Sequence, residues 1–187
     1  MDLKLRLRCM RRPERLLRRE LIQFGRLCYE RHLLVGLDGN LSVRIFDDLI
    51  LCTKAGCHKG LLSDEDLIVV DMKGEKVRGK GNPTSEIAMH LACYAARPDI
   101  EAVVHAHPPT CIAFTVAGVS MARCTLPEVV LTLGAVPTFL HANLSAFHCG
   151  ARSSEGGCVA ATSAISAAVL ANVKIEKFNE IPIKEMR

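Results

Sequence analysis

The chain has 187 residues, of which 49% are hydrophobic and 24% charged, and this composition excludes an intrinsically disordered protein. We expect residues 1–187 to form a single domain. The sequence contains no run of about 18 apolar residues, so we expect no membrane span and no membrane partner. The net charge is +4, and nine cysteines without a CxxC pair indicate a reducing, cytoplasmic compartment rather than a disulfide framework.

The positive charge is concentrated at the N-terminus. Residues 1–19 contain eight basic residues against only Asp2 and Glu14. Such a segment can bind nucleic acid, a membrane surface or an acidic partner, or it can be the solvated face of a helix. No aromatic residues are interleaved with the charges, which disfavours single-stranded nucleic acid. We therefore predict a solvated helix face and no nucleic-acid partner.

The first predicted element is a helix after Pro13, a residue that suits a first helical turn. Four apolar residues follow at helical spacing and form one stripe, namely Leu17, Leu21, Phe24 and Cys28. The turn signal Asp38-Gly39 ends this region. Strands are predicted over residues 40–46 and 49–53.

The middle of the chain alternates short elements. Residues 63–66 resemble a capped helical turn, and residues 67–70 resemble a buried strand that precedes a hairpin turn near Gly74. A helix is predicted from about 86 to 96, with the preceding Thr and Ser as natural N-caps.

The last predicted elements carry the clearest motif. Residues 102–107 alternate like the end of a strand, Pro108-Pro109 can begin a helix that Gly118 ends, and residues 136–140 resemble another strand. Strands outnumber the helices that simple βαβ alternation requires. We therefore expect an α/β chain with a mixed or antiparallel sheet and helices packed on it.

His105-Ala106-His107 is a candidate metal site. Residues two apart on a strand point to the same face, so the two imidazoles converge, and neutral imidazole is a good zinc ligand. Short motifs also arise by chance, and the alternative is two unrelated histidines. Glu86, at the start of a helix, is either a carboxylate partner of this pair or an ordinary glutamate that interacts with the helix dipole.

Three small polar segments are candidate anion sites. Hydroxyls and free N–H groups at the N-terminus of a helix bind anions, which points to Thr84 and Ser85. The loops at Gly39-Asn40 and Ala55-Gly56 allow backbone to approach a phosphate closely. Each segment alone is as well explained by a simple turn.

Taken together, these motifs resemble the class II aldolase/adducin family. The resemblance covers about residues 14–144 and is carried by GNLSVRI (39–45), LCTKAG (51–56), LLSDEDLIVVDMKGE (61–75), NPTSEIAMHLACYAARPDIEAVVHAHPP (82–109) and LPEVVLTLGAVPTFLHA (126–142). It implies a three-layer α/β/α fold in which a central, mainly antiparallel sheet has helices on both faces. It also implies a homotetramer with active sites between subunits.

The resemblance implies a role for each site residue. Glu86 is expected to be the acid/base group and a metal ligand, and His105 and His107 are expected to bind Zn²⁺ or another divalent ion. The expected phosphate-binding residues are Gly39, Asn40, Ala55, Gly56, Thr84 and Ser85. Ala55 stands where the family usually has Ser or Thr, so one hydroxyl contact is missing.

The implied function is a lyase that cleaves a small ketose phosphate by retro-aldol chemistry through a metal-stabilised enediolate. The same residues also suit a sugar-phosphate epimerase, dehydratase or decarboxylase. A third possibility is a catalytically weakened or non-catalytic adducin-like homologue.

Beyond about residue 145 the resemblance fades. The family's third zinc histidine aligns with Val173, after Leu170-Ala171-Asn172, so activity is in doubt. His141 and His148 are candidate substitutes, although an ordinary histidine is the simpler explanation for each. His90 is expected to pack inside the subunit, one helical turn after Glu86. His58 and Lys59, in the loop after Gly56, can face the substrate, but a solvated position is the simpler expectation for each.

Overall fold

A computed structural model describes residues 12–119 and the backbone of 138–139, 159–162 and 168–171. The helices within these ranges are α1 (Glu14–Glu30), α2 (Ile87–Ala96) and α3 (Pro109–Val116). The strands are β1 (Asn40–Arg44), β2 (Leu49–Thr53), β3 (Leu67–Asp71), β4 (Lys76–Arg78), β5 (Ala102–Ala106), β6 (Thr138–Phe139), β7 (Val159–Thr162) and β8 (Ala168–Ala171). Short 3₁₀ turns cover Lys59–Leu61 and Asp64–Asp66.

The strands form one sheet in the order β4-β3-β2-β1-β5-β8-β7-β6. Every neighbouring pair is antiparallel except β6 and β7, which are parallel. The predicted mainly antiparallel sheet is therefore confirmed. The strand boundaries differ only slightly from the sequence prediction, since β1 ends at Arg44 and β5 ends one residue before His107.

Helices cover both faces of the sheet, as predicted. Alternate strand residues point to opposite faces, so the core divides into two clusters. One cluster packs α1 against β1, β2, β3 and β5 through the predicted stripe Leu17, Leu21, Phe24 and Cys28. The other packs α2 against the opposite face, where Met89 and Tyr94 meet Ile50 and Val103.

Both predicted helix starts lie within one residue of the observed ones, but the capping of α2 differs from the prediction. Pro13 is the N-cap of α1, and the helix begins at Glu14. α2 begins at Ile87 with Glu86 as its N-cap, and no side chain caps the helix. The predicted capping by Thr84 or Ser85 is therefore wrong, because the chain enters the helix one residue later than a Ser or Thr cap requires. The capped turn at 63–66 is confirmed, with Ser63 and Asp66 bonded reciprocally.

The basic N-terminal segment is described from residue 12 onward. Arg12, Arg15 and Arg19 are exposed, as expected for a solvated helix face. Arg18 is half-buried and pairs with Glu14 at 2.8 Å. None of the described helices is both long enough and apolar enough to span a bilayer.

Candidate active site

The predicted site residues meet at one end of the sheet, where β1 begins and β2 and β5 end. Antiparallel pairing brings these ends together, because β1 lies between the other two strands. Asn40, the first residue of β1, is paired with His105 of β5. An isolated bridge between Lys54 and Pro83 joins the end of β2 to the segment before α2. Both predicted phosphate segments after β1 therefore lie at the same edge as the histidine pair.

His105 and His107 face each other across the end of β5. Their Nε2 atoms are 3.1 Å apart, and their ring centroids are 4.8 Å apart. His105 is buried, and the backbone N–H of His107 donates a hydrogen bond to the carbonyl of Leu33. Two nitrogens that bind one zinc ion at about 2.0–2.1 Å in a tetrahedral site are roughly 3.3–3.4 Å apart. The observed spacing therefore fits a pair of ligands to one divalent ion.

Glu86 approaches the other nitrogen of the His105 ring. Its Oε2 is 2.5 Å from His105 Nδ1 and accepts a hydrogen bond of 2.5 Å from Asn40 Nδ2. The contact with His105 is as close as the one with Asn40. Glu86 and His107 thus lie against different nitrogens of His105. In the described part of the chain, no group of three or more potential metal ligands converges on one point. A carboxylate in this position can orient a ligand histidine.

The charge state of the site follows from these contacts. Burial raises the pKa of the Glu86 carboxyl, but His105 and Asn40 outweigh burial and lower the pKa to about 2. Burial and the neighbouring His105 lower the pKa of His107. Near neutral pH the site therefore contains an ionised carboxylate and a neutral His107 imidazole, whose lone pair is available to a cation.

Gly39 permits the close approach of β1 to β5. Its φ is +67°, in the left-handed region that favours glycine. A Cβ at this position would collide with the carbonyl of His105 and with the side chain of Leu34. A glycine here therefore lets the backbone before Asn40 lie directly against the strand that carries the histidine pair.

The other two phosphate segments differ in exposure. Ala55 and Gly56 are exposed after β2, and Gly56 has a φ of +69° with open space around it. Ser85 is exposed, whereas Thr84 is buried and its Oγ1 accepts a long hydrogen bond of 3.5 Å from the N–H of Glu86. The segments are thus brought together, but their binding of phosphate stays a prediction.

Lys59 is a residue whose position was predicted wrongly. Only 3% of it is exposed, and its ammonium donates hydrogen bonds to the carbonyls of Leu37 (2.6 Å) and Cys57 (2.9 Å). Burial lowers the pKa of Lys59, and nearby acidic groups and the Cys57 thiol partly offset this. The ammonium joins the segment before Gly39 to the loop after β2. No neighbouring residue in the sequence signals this burial, because both acceptors are backbone carbonyls.

His58, which was also expected to be solvated, packs edge-on against Tyr29 with ring centroids 4.7 Å apart.

Beside the histidine pair lies a cavity of about 540 Å³. Its walls are mostly apolar and come from α3 and the segment before β1, including Val35, Asp38, Pro109, Ile112, Ala113 and Val116. A cavity of this size suits a small ligand.

The third histidine of the family is not located. His141, His148 and Val173 lie outside the described residues. In β8, Ala168 is paired with Ala106, and Ala171 is paired with Val103. Between residues 168 and 171, β8 therefore runs away from the end of the sheet where His105 and His107 lie. This register does not favour the alignment that placed residues 170–173 at the third ligand position.

Comparisons with known proteins agree with this architecture. The family model described as the Class II Aldolase and Adducin N-terminal domain matches residues 19–173. An L-fuculose phosphate aldolase from Methanococcus vannielii is 43% identical over 98 residues, which are 52% of this chain and 52% of that protein. A 3-oxo-tetronate 4-phosphate decarboxylase from Haemophilus influenzae is 45% identical over 87 residues, which are 46% of this chain and 41% of that protein.

The alignment thus spans about half the length of these relatives. The crystal structure of YgbL from Klebsiella pneumoniae superposes with a TM-score of 0.75 at 25% identity, covering 90% of this chain and 84% of that one. The family match extends over most of the sequence, and the sheet order and histidine pair occur within it. The chain therefore belongs to the class II aldolase and adducin family.

Proposed function

We propose that the chain binds a divalent metal ion, zinc or a similar ion, through His105 and His107, and that it acts as an aldolase-type lyase on a small ketose phosphate. The observation that carries this proposal is the 3.1 Å separation of the two Nε2 atoms. A hydrogen bond between the rings would require one of these nitrogens to carry a proton, whereas a cation between them would be held by both lone pairs.

A divalent ion at this position would act as a Lewis acid that stabilises negative charge beside a substrate carbonyl. Glu86 is the proposed acid/base group, because its ionised carboxylate lies against the same histidine. The contacts that keep its pKa low also make it a weak base, so its contact with His105 must loosen when it accepts a proton. In the present arrangement the Glu86 carboxylate orients the His105 ring. For Glu86 itself to bind the metal, either its carboxylate or the His105 ring would have to rotate.

The phosphate of the substrate is proposed to bind at the three segments around Gly39-Asn40, Ala55-Gly56 and Thr84-Ser85. Exposed backbone at Gly56 and the exposed hydroxyl of Ser85 support this. The apolar cavity beside His107 leaves room for the rest of a small substrate. We further propose that residues 1–187 form one domain and that the assembly is a homotetramer.

A second candidate function is decarboxylation of a related sugar-acid phosphate. The similarity to a 3-oxo-tetronate 4-phosphate decarboxylase favours it, and the same metal and acid/base groups suit both reactions. A non-catalytic homologue is the remaining alternative. It is supported by the convergence of only two histidines in the described residues.

The test begins with metal. Wild-type protein purified without chelator and incubated with zinc should contain about one ion per subunit, and His105→Ala and His107→Ala should each lose it. A wild type that binds no ion contradicts the proposed metal site. Glu86→Gln should keep most of the metal, because its amide still fits beside His105.

The second step measures chemistry. Glu86→Gln should slow proton exchange at the carbon beside the carbonyl by about 10²–10⁴-fold, since an amide cannot act as a base. A panel of phosphorylated ketoses and sugar acids, each with its dephosphorylated counterpart, identifies the reaction. Metal binding without turnover of any of them would favour the non-catalytic homologue, and equal turnover of dephosphorylated compounds would contradict the phosphate sites.

A further inference from the structure

A line of buried polar side chains connects Glu86 to the interior of the subunit. Two of them, Asn40 and Ser42, alternate with apolar residues on β1 and therefore face α2. The others, His90 and Tyr94, follow Glu86 at successive intervals of four residues on α2 and therefore face the sheet. Asn40, Ser42, His90 and Tyr94 are all buried, and His90 has no exposed surface.

Each member of this line contacts the next. Asn40 Nδ2 is 2.5 Å from Glu86 Oε2, and Asn40 Oδ1 contacts His90 Nε2. The other ring nitrogen of His90, Nδ1, is 2.6 Å from Ser42 Oγ. Ser42 Oγ is 2.8 Å from Tyr94 Oη. The contacts form one unbranched path from Tyr94 to the carboxylate.

The direction of every hydrogen bond follows from the carboxylate. An ionised carboxylate can only accept, so Asn40 must present its NH₂ group to Glu86 and its carbonyl oxygen to His90. His90 must then carry its proton on Nε2 and donate it to Asn40. A neutral ring protonated at Nε2 accepts at Nδ1, so Ser42 donates to His90 and Tyr94 donates to Ser42.

The surroundings keep His90 neutral. Complete burial and the nearby His105 lower the pKa of His90, Glu86 partly offsets them, and the resulting pKa is about 3. A charged ring would donate from both nitrogens, and Ser42 would then have to reverse its hydrogen bond. The hydrogen bonds from Tyr94 to Glu86 can therefore all run in the derived direction only when the His90 ring is neutral.

We propose that His90, held as the Nε2–H tautomer between the Asn40 carbonyl and the Ser42 hydroxyl, is a positioning residue that locks the Asn40 amide with its NH₂ group toward Glu86. Without this constraint the Asn40 amide can flip by 180° about its last side-chain bond and place its carbonyl oxygen against the Glu86 carboxylate. Two acceptors would then repel each other, and Glu86 would move. The tautomer is independent of the proposed lyase activity, but the effect on turnover rests on the proposed acid/base role of Glu86.

The tautomer is measurable without any substrate. In wild-type protein labelled with ¹⁵N-histidine, NMR should show His90 as the neutral Nε2–H tautomer between about pH 5 and 9, a range in which a free histidine would titrate. Assignment by the loss of signals in His90→Gln identifies the resonance. A ring protonated at Nδ1, or one that charges within this range, overturns the proposal whether or not the protein is active.

Two variants then test positioning with matched side chains. In His90→Gln an amide N–H can reach the Nε2 position and donate to Asn40, whereas in His90→Asn the shorter amide reaches only the Nδ1 position beside Ser42. With the substrate identified by the panel, kcat should stay within about threefold of wild type for Gln and fall by about 10²-fold for Asn. KM and metal content should be unchanged in both, because His90 has no surface that a substrate could touch.

Equal losses of kcat in the two variants, or loss of metal in His90→Asn alone, would overturn the positioning role. If His90→Asn does not fold, Ser42→Ala replaces it. In Ser42→Ala the Asn40 carbonyl still faces Nε2, so NMR should still show the Nε2–H tautomer, and a switch to Nδ1–H would contradict the proposed order of donors. If the wild type turns over no substrate, the tautomer measurements still decide the proposal, and the lyase assignment fails separately.

Discussion

Two glycines at the site edge have nearly the same backbone conformation but different surroundings. Gly39 and Gly56 have φ values of +67° and +69°. A Cβ at Gly39 would meet the His105 carbonyl, whereas a Cβ at Gly56 would meet nothing within 4 Å. The comparison therefore separates the cost of the left-handed backbone from the cost of the collision.

Gly39→Ala should lower the free energy of unfolding by about 3 kcal/mol, because about 1–2 kcal/mol of backbone strain adds to overpacking of similar size. Gly56→Ala, the matched control, should lose only the strain, about 1 kcal/mol. Urea unfolding of both variants measures the difference. Equal losses would mean that the neighbours of Gly39, His105 and Leu34, move aside without cost.

The connection between β2 and β3 depends on one carboxylate. Asp66 accepts hydrogen bonds from the Ser63 N–H (2.8 Å) and hydroxyl (2.7 Å), and it pairs with Lys54 at 2.5 Å. Lys54, then Ser63, lower the pKa of Asp66 from 3.8 to about 2. Because the folded pKa is below the unfolded value, this stabilisation is complete above about pH 4 and is lost as pH falls through about 2.

Asp66→Asn should therefore lower the free energy of unfolding by about 1 kcal/mol near neutral pH, the upper range for pairs near the surface. The gap between variant and wild type should shrink as pH falls below about 4. Glu65→Gln on the same turn is the control: Glu65 is exposed and pairs with Lys80 at 3.9 Å, so the substitution should change stability by less than about 0.5 kcal/mol. A gap that is independent of pH would show that Asp66 acts through shape rather than charge.

At the scale of the whole molecule, apolar side chains remain exposed around α3. Val116 is 82% exposed, and Val35 and Leu37 opposite it are more than half exposed. Val116 and Val35 line the cavity beside His107. The family resemblance implies a homotetramer with active sites between subunits, so we expect this surface to bind a second copy of the chain.

Val116→Asp should shift the assembly toward smaller species in sedimentation experiments, because a charge would be buried in the interface. Val77→Asp, on the edge strand β4, is the control and should leave the assembly unchanged. A monomeric wild type, or equal effects of the two substitutions, would contradict an interface at α3.

Local patterns in the sequence were enough to predict the helices and strands near the site and the shared face of the two histidines. The stripe Leu17, Leu21, Phe24 and Cys28 predicted the buried face of α1, because helical periodicity depends only on near neighbours. The alternation that ends at His105 and His107 predicted that both imidazoles share a face, since strand periodicity is equally local. Pro109 and Gly118 likewise bounded α3 through their own backbone preferences.

Contacts between distant segments were decided only by the tertiary structure. Asn40 and His90 are 50 residues apart, and their contact depends on the register of β1 and the packing of α2 on one face of the sheet. The packing of the Lys59–Leu61 turn against α1 likewise accompanies the burial of Lys59, whose acceptors are carbonyls without a sequence signature. The packing of α2 on the sheet sets Glu86 against Nδ1 of His105, opposite the nitrogen that faces His107. Sequence spacing can predict that such groups share an edge, but the atoms that meet depend on how the layers pack.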